Sequence, residues 1–437
     1  MPELGVYLHY PWCRKRCPYC DFAVEVGPPS HDAYLDAIGR ELALRAPGFS
    51  GDLVSIYLGG GTPSLWRPDC IAAAIAQIRA RFAGTPAPGG EDGRERSLSE
   101  DAEDGPEDES RDATRGGVNR AALPRERGRE SPLSIEITIE ANPTDCTEAN
   151  LAAWRAAGVN RISIGVQSFA PGELVTLGRD HRFGDGRAAI ARSLAAGFTT
   201  SADFILGVAD PGGVADPGGV ADPDGRARPD AATPPELDLS PDHLSIYELT
   251  IEDRTAFGQR VRDGRLVPKS EDALAELYVA THDRLTAAGY EHYEISSYAR
   301  PGKRAVHNSL YWRGAAFLGL GVGAASLALG PGGTGRRATN PRRASEYLAA
   351  PGTPAEVVDS TADELAADRA WLGLRTSDGV AEAALAAAPG LAGWLVDRGL
   401  ADRRDGQICP TLRGFLMADR IAARVVATWG AKLPSTR

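Results

Sequence analysis

Apolar and polar residues alternate in six short runs across the first 250 residues, and most of these runs are followed by a stretch with helical spacing. The alternating runs are Gly5–Tyr10, Leu53–Leu58, Ser134–Ala141, Arg161–Val166, Ser201–Leu206 and His243–Leu249. Asp32–Arg45, Cys70–Arg81, Glu148–Ala157 and Gly184–Ala196 carry apolar residues at the intervals of an amphipathic helix. Strand and helix in succession predict an α/β fold built of parallel β/α units. Six such units fit either a partial (β/α)6 barrel or an open doubly wound sheet, and periodicity alone does not choose between them.

Two stretches interrupt the rhythm. Residues 83–132 hold 13 Asp/Glu and 8 Lys/Arg among Gly, Pro and Ser, with almost no periodic apolar positions, and read as a disordered insertion. Residues 207–235 open with the repeat Gly-Val-Ala-Asp-Pro, present in three copies between Gly207 and Pro223. Repeated Asp and Gly would suit a calcium-binding β-roll, but three Pro-interrupted copies are too few to stack a core, so a surface loop is expected. Gly314–Gly330 is uncharged and mostly apolar, yet its 17 residues fall short of the roughly 20 that a membrane span needs. A buried, Gly-rich core segment is expected there, and no transmembrane segment.

From about Thr361 the pattern becomes mainly helical, through Asp363–Leu374, Ala381–Ala388, Leu391–Arg398 and Leu412–Val426. Asp405-Gly406 offers a tight turn between Leu400–Arg404 and Gln407–Pro410. Helices around a small hairpin predict a helical, winged-helix-like C-terminal domain with a packing or docking role. The expected division is 1–250 for the barrel, 251–345 for an extension and 346–437 for the C-terminal domain.

Composition narrows the classes. With 43% hydrophobic residues the 437-residue chain can bury a large core, and a net charge of −11 argues against a nucleic-acid partner. Six cysteines are too sparse for a disulfide framework, and no basic, apolar leader opens the chain. A reducing, cytoplasmic setting is expected.

Three of those cysteines form Cys13-x3-Cys17-x2-Cys20 directly after the first predicted strand. Three thiolates on one loop can hold three irons of a cubane and leave the fourth without a protein sulfur. Such an open corner admits a chelating small molecule, as open metal sites do. Arg14, Lys15 and Arg16 would favour deprotonation of the thiols. A zinc site is the alternative, with His9 as the only nearby fourth ligand. Further along, Gly59-Gly60-Gly61-Thr62-Pro63 follows the second strand, where glycines let a ligand approach backbone N–H and C=O groups. Glu140 and Gln167 sit at the ends of the next two strands, Asp203 lies in the fifth, and Arg179 follows the fourth. In β/α folds the C-terminal strand ends face the ligand.

The cysteine spacing, with Tyr19 before the last thiol, resembles the signature of radical S-adenosylmethionine (SAM) proteins. The resemblance implies a partial (β/α)6 radical SAM barrel, a [4Fe–4S] cluster on Cys13, Cys17 and Cys20, and SAM chelated to the open iron. Gly59–Pro63 matches the superfamily's GGE-type element that meets the SAM amino group. Together these segments are similar to the group containing oxygen-independent coproporphyrinogen III dehydrogenase and the HemW heme chaperones. That likeness implies SAM contacts from Tyr7, Tyr19, Gly60, Gly61, Thr62 and Glu140, with Gln167, Arg179 and Asp203 matching positions that hold a second SAM in the dehydrogenase.

Two features favour the chaperone type. The dehydrogenases carry a fourth cysteine where this chain has Phe22, and only 12 residues precede Cys13. His307-Asn308-Ser309-Leu310-Tyr311-Trp312 matches the H-N-x-x-Y-W signature of the HemW type, which implies His307 as a heme contact. Gly319–Ser326 follows the family's G-L-G-P-G-A-H-S with Val322 for the proline and Ala325 for the histidine. The expected function is heme binding and delivery to an acceptor hemoprotein, with membrane contact only through that acceptor. The alternative is radical oxidative decarboxylation of coproporphyrinogen III.

Overall fold

The computed structural model describes residues 2–83, 135–182, 184–211 and 239–429, which form one compact unit apart from Ala83. Both expected insertions lie outside the described residues, except for Ala83 and residues 207–211. The six predicted strands are present as β1 (Glu3–Tyr10), β2 (Asp52–Gly60), β3 (Glu136–Ala141), β4 (Arg161–Gln167), β5 (Thr199–Leu206) and β6 (His243–Glu248). They lie side by side in chain order, all parallel. Sequential order without a reversal point is barrel topology, which settles what periodicity left open.

Helices α1 (His31–Arg45), α2 (Pro68–Phe82), α3 (Glu148–Ala156), α4 (Pro171–Thr176) and α5 (Asp185–Ala195) connect these strands. One face of each strand packs on them. Leu8, Ile56, Leu58, Ile139, Ile164 and Val166 join Tyr34, Ile38, Ile71, Ile75 and Trp154 in one continuous core. The opposite face turns inward and is polar, because alternate residues of a strand point to opposite sides. Ser55, Tyr57, Glu140, Ser163 and Asp203 bond to one another or to other inward-facing groups.

Beyond β6 come α6 (Ala256–Arg262) and α7 (Glu271–Ala287), then β7 (Glu291–Glu294) and β8 (Ser297–Ala299), which extend the sheet past β6 in antiparallel pairing. Helix α8 (Val306–Trp312) is followed by β9 (Ala316–Gly321), β10 (Ala325–Leu329), β11 (Gly335–Thr339), α9 (Ala344–Ala349) and β12 (Glu356–Ser360). β9 is parallel to β1 and extends the sheet on its other side. The segment expected as a buried Gly-rich stretch is therefore two strands. Its glycines conceal them: a Cβ on Gly319 would meet the Ala325 carbonyl at 2.0 Å, and Gly321 holds a φ of +94°. β12 still pairs with β11, so the main sheet reaches ten residues and more past the boundary expected at 345.

The C-terminal part holds α10 (Ala362–Gly373), α11 (Leu391–Asp397), α12 (Leu412–Leu416) and α13 (Ala418–Trp429) around strands β13 (Val380–Ala381), β14 (Ala401–Arg404) and β15 (Gln407–Pro410). β15 lies centrally, and Asp405-Gly406 makes the expected turn with both residues at positive φ. The predicted last helix is two helices meeting at Met417, and Ala381–Ala388 is a 3₁₀ turn over Glu382–Ala387. Thr361 starts α10 with a capping box to Glu364.

Helix α8 lies across the N-terminal end of the lumen. Glu136 caps it, accepting from the Val306 and His307 amides at 3.2 and 3.1 Å. Gly5 makes room for it, since a Cβ there would meet Leu310 at 2.7 Å. On the far side, the fully buried Glu41 ties α1 to β9: it accepts from Arg45, Asn340, Tyr347 and the Gly321 amide at 2.7–3.0 Å. Removing one partner of a buried pair leaves the other charge uncompensated. Glu41→Ala is expected to cost about 3–5 kcal/mol of stability, read as a lower urea midpoint, whereas Glu346→Ala on the exposed face of α9 changes it little.

Candidate functional site

The C-terminal ends of the strands surround a cavity of about 350 Å³. Backbone bonds pin the cysteine loop across one side of it: Gly61 N–H donates to Tyr10 O, Thr62 N–H to Trp12 O, and Phe257 N–H to Pro18 O, at 2.8–3.0 Å. Arg14 grips Asp145 through two nitrogens, and Ser64 donates to the same carboxylate at 2.7 Å. Gly60 is required twice over, by a φ of +109° and by the His9 ring, which a Cβ would meet at 2.5 Å. A Cβ on Gly61 would meet the Pro11 and Tyr10 carbonyl oxygens at 2.8 Å.

Cys13, Cys17, Tyr19, Cys20, Gly60, Gly61, Thr62, Glu140, Gln167, Arg179 and Asp203 all line this one cavity. The sequence-predicted residues thus converge, with two exceptions. Tyr7 is set back behind Gly59, its hydroxyl 3.1 Å from His9 Nδ1. His307 is the larger departure. It is buried in α8 at the opposite end of the lumen, with Nδ1 2.8 Å from Ser55 Oγ and Nε2 2.8 Å from the Tyr311 hydroxyl. Its ring stacks on Tyr57 at 5.1 Å. Both its nitrogens are engaged and its ring is covered, and it does not line the cavity. Burial also lowers its pKa to about 3, so the ring is neutral.

The three thiols are free and half-buried. Thr62 Oγ1 donates to Cys13 Sγ at 3.4 Å, and Arg179 Nη1 lies 3.8 Å from Cys17 Sγ. Of the three cations expected to favour the thiolates, Arg16 does act to lower the pKa of Cys20, but burial outweighs it. Burial pushes Cys13 up to about 11 and raises Cys20, while Arg14 is turned toward Asp145. A further cation at the thiols is Arg179, held by Asn142 Oδ1 and Gly165 O at 2.6 and 2.9 Å, with its buried Nε unpartnered. Among the described residues no three His, Cys, Asp or Glu gather around a single metal ion. A cubane asks something different of its thiolates, one for each of three irons. Three uncommitted thiols and a buried cation on one wall fit such a cluster.

Glu140 accepts from the Tyr57 hydroxyl at 2.9 Å and from the Gly60 amide at 3.0 Å. Burial raises its pKa to about 7, Asp203 adding to the rise and the two donors opposing it. Asp203 is also raised by burial, although Ser163 donates to both its oxygens and Ser201 to one. Gln167 ends β4 at a φ of +65°, a left-handed conformation uncommon outside glycine, at a bulge in the pairing of β4 with β5. Tyr57, Asn142, Ser163 and Tyr247 also line the cavity and were missed from sequence. For Tyr57, Ser163 and Tyr247 the signal was their inward parity on the same strands. Phe22 and Tyr247 stand at its mouth, 63% and 44% exposed, with Lys15 and Arg16 exposed beside them.

Comparison with known proteins agrees with this geometry. The profile of the radical SAM superfamily matches residues 7–210. The heme chaperone HemW of Mycobacterium tuberculosis is 33% identical over 95% of this chain and 93% of its own. The heme chaperone HemW of Escherichia coli is 32% identical over 80% of this chain and 76% of its own. In fold, the chain is similar to the coproporphyrinogen III oxidase HemN of Escherichia coli, a radical SAM enzyme, with a TM-score of 0.68 at 21% identity over 97% of this chain and 90% of that one.

The raised pKa of Glu140 has a stability consequence. Its carboxyl ionises near 4.5 when unfolded and near 7 when folded, so the folded state binds the extra proton between those values. The contribution is full below pH 4.5 and is lost as pH rises through 7. Glu140→Gln is therefore expected to flatten the decline in unfolding free energy over that window, measured as the difference between wild-type and variant urea midpoints from pH 5 to 8.

Proposed function

Because the chain belongs to the HemW family of radical SAM proteins, we propose that it is a heme chaperone that delivers heme to an acceptor hemoprotein, such as a respiratory enzyme. The observation that carries this reading is the single cavity with three free thiols on one wall and exposed aromatic surface at its mouth. Cys13, Cys17 and Cys20 would hold a [4Fe–4S] cluster, whose open iron supplies a chelation point for SAM. Gly60, Gly61 and Thr62 offer backbone and hydroxyl groups to its amino-acid end, and Glu140 a carboxylate to its ribose. Arg179 brings a fixed positive charge beside Cys17 Sγ.

Heme would lie at the mouth, above the SAM site. Phe22 and Tyr247 supply apolar faces to the macrocycle, and Lys15 and Arg16 supply cations for its propionates. Phe22 stands where the dehydrogenases have a further cysteine. A cavity of about 350 Å³ takes one small ligand in its depth, which leaves the larger ring at the rim. Among the described residues no helix is long and apolar enough to cross a membrane; in this reading membrane contact comes through the acceptor. The second reading, radical decarboxylation of coproporphyrinogen III, draws on the HemN-like fold.

Anaerobic reconstitution followed by heme titration and a coproporphyrinogen assay separates the two. Heme uptake near one equivalent without vinyl product is expected, and vinyl product coupled to deoxyadenosine would overturn the chaperone reading. Combined Phe22→Ala and Tyr247→Ala should weaken heme binding about tenfold, in line with loss of about 1.4 kcal/mol of aromatic contact, without loss of the cluster's absorbance.

A further inference from the structure

His307 heads a signature that does not line the cavity, and its surroundings suggest what it does instead. Three side chains meet at its ring. Ser55, from β2, bonds Nδ1, and Tyr311, one turn along α8, bonds Nε2. Tyr57, two residues beyond Ser55 on the same inward face, stacks on the ring at 5.1 Å with 28° between planes. The Tyr57 hydroxyl then donates to Glu140 Oε1 at 2.9 Å. Glu140 has its other oxygen on the Gly60 amide, so the carboxylate is aimed from both sides. Tyr7 borders the same stack, 6.1 Å from Tyr57 and 6.3 Å from His307.

We propose that His307 is a positioning residue: clamped at both nitrogens, its ring is the floor on which Tyr57 rests, and Tyr57 thereby holds Glu140 in place for the ribose of SAM. The inference rests on the SAM-binding reading of Glu140 and is independent of where heme binds. Without the ring, Tyr57 has a void beneath it on one face. Its hydroxyl then has no reason to stay on Glu140, because side-chain position in a packed interior is set by neighbouring contact. The clamp also explains a histidine here: a neutral imidazole supplies one donor and one acceptor in the plane of a flat, stackable ring.

The test uses the reconstituted holoprotein and follows SAM binding by the change it makes in the EPR spectrum of the reduced cluster, with heme titrated separately. His307→Ala is expected to lower SAM affinity about tenfold, the size of one lost hydrogen bond to a charged group, and to leave heme affinity unchanged. His307→Phe, which keeps a ring under Tyr57, should restore most of the loss, whereas His307→Gln should not. In a Tyr57→Phe background, which already lacks the bond to Glu140, His307→Ala should add nothing further. Unchanged SAM affinity in His307→Ala, an equal further loss in the Tyr57→Phe background, or a fall in heme affinity with SAM binding intact would each overturn the proposal. If His307→Ala does not fold by thermal melting, the Phe and Gln variants decide, and better SAM binding in Gln than in Phe overturns it. Wild-type protein that binds SAM but no heme would count against the chaperone reading and leave this test standing.

Discussion

A barrel that turns polar side chains inward must satisfy each of them, and that constraint organises the molecule. The lumen carries carboxylates, imidazoles, hydroxyls and a guanidinium where most barrels pack aliphatic layers. Burying such groups unpaired would cost several kcal/mol each. They are instead paired in tiers. At the closed end Glu136 serves the amides of α8 and lies 3.5 Å from Arg161. In the middle Ser163 and Ser201 serve Asp203, and Tyr57 serves Glu140. A few atoms lack protein partners, among them Arg161 Nη2 and Thr138 Oγ1 lower in the lumen and Arg179 Nε toward the open end, where the thiols stand.

Much of this was legible beforehand because strands buried on one side and polar on the other write their period into the sequence. All six alternating runs became strands, and the four helices between them lie within two residues of their expected bounds. The cysteine loop was legible from spacing alone, since three thiols within eight positions have few other uses. What stayed hidden shares a cause. In β9 leucine alternates with glycine instead of with polar residues, and Gly319 and Gly321 answer to close neighbours, so no apolar–polar alternation appears. The charge around the thiols was legible only in part, in Arg16 beside Cys20, because chain proximity is not spatial proximity. Arg14 lies one residue from Cys13 and bonds Asp145, while Arg179, 162 residues from Cys17, reaches its sulfur.

His307 shows the same limit in a motif. Histidine, tyrosine and tryptophan within six residues invite a ligand-binding reading, because each can contact a porphyrin. Placed on a helix of about two turns that crosses the lumen floor, the same residues meet one another and the strands. A signature records that a local arrangement is demanded, and only the fold says whether the demand comes from a ligand or from the scaffold beneath it.

The plug formed by α8 has one more implication, for traffic. Among the described residues α8 covers one end of the lumen, so an occupant of its depth would enter before one that sits across the rim, and the rim would clear before the depth emptied. Two occupants sharing such a vestibule follow a last-in, first-out order imposed by shape alone, and the outermost one is the one presented to a visitor.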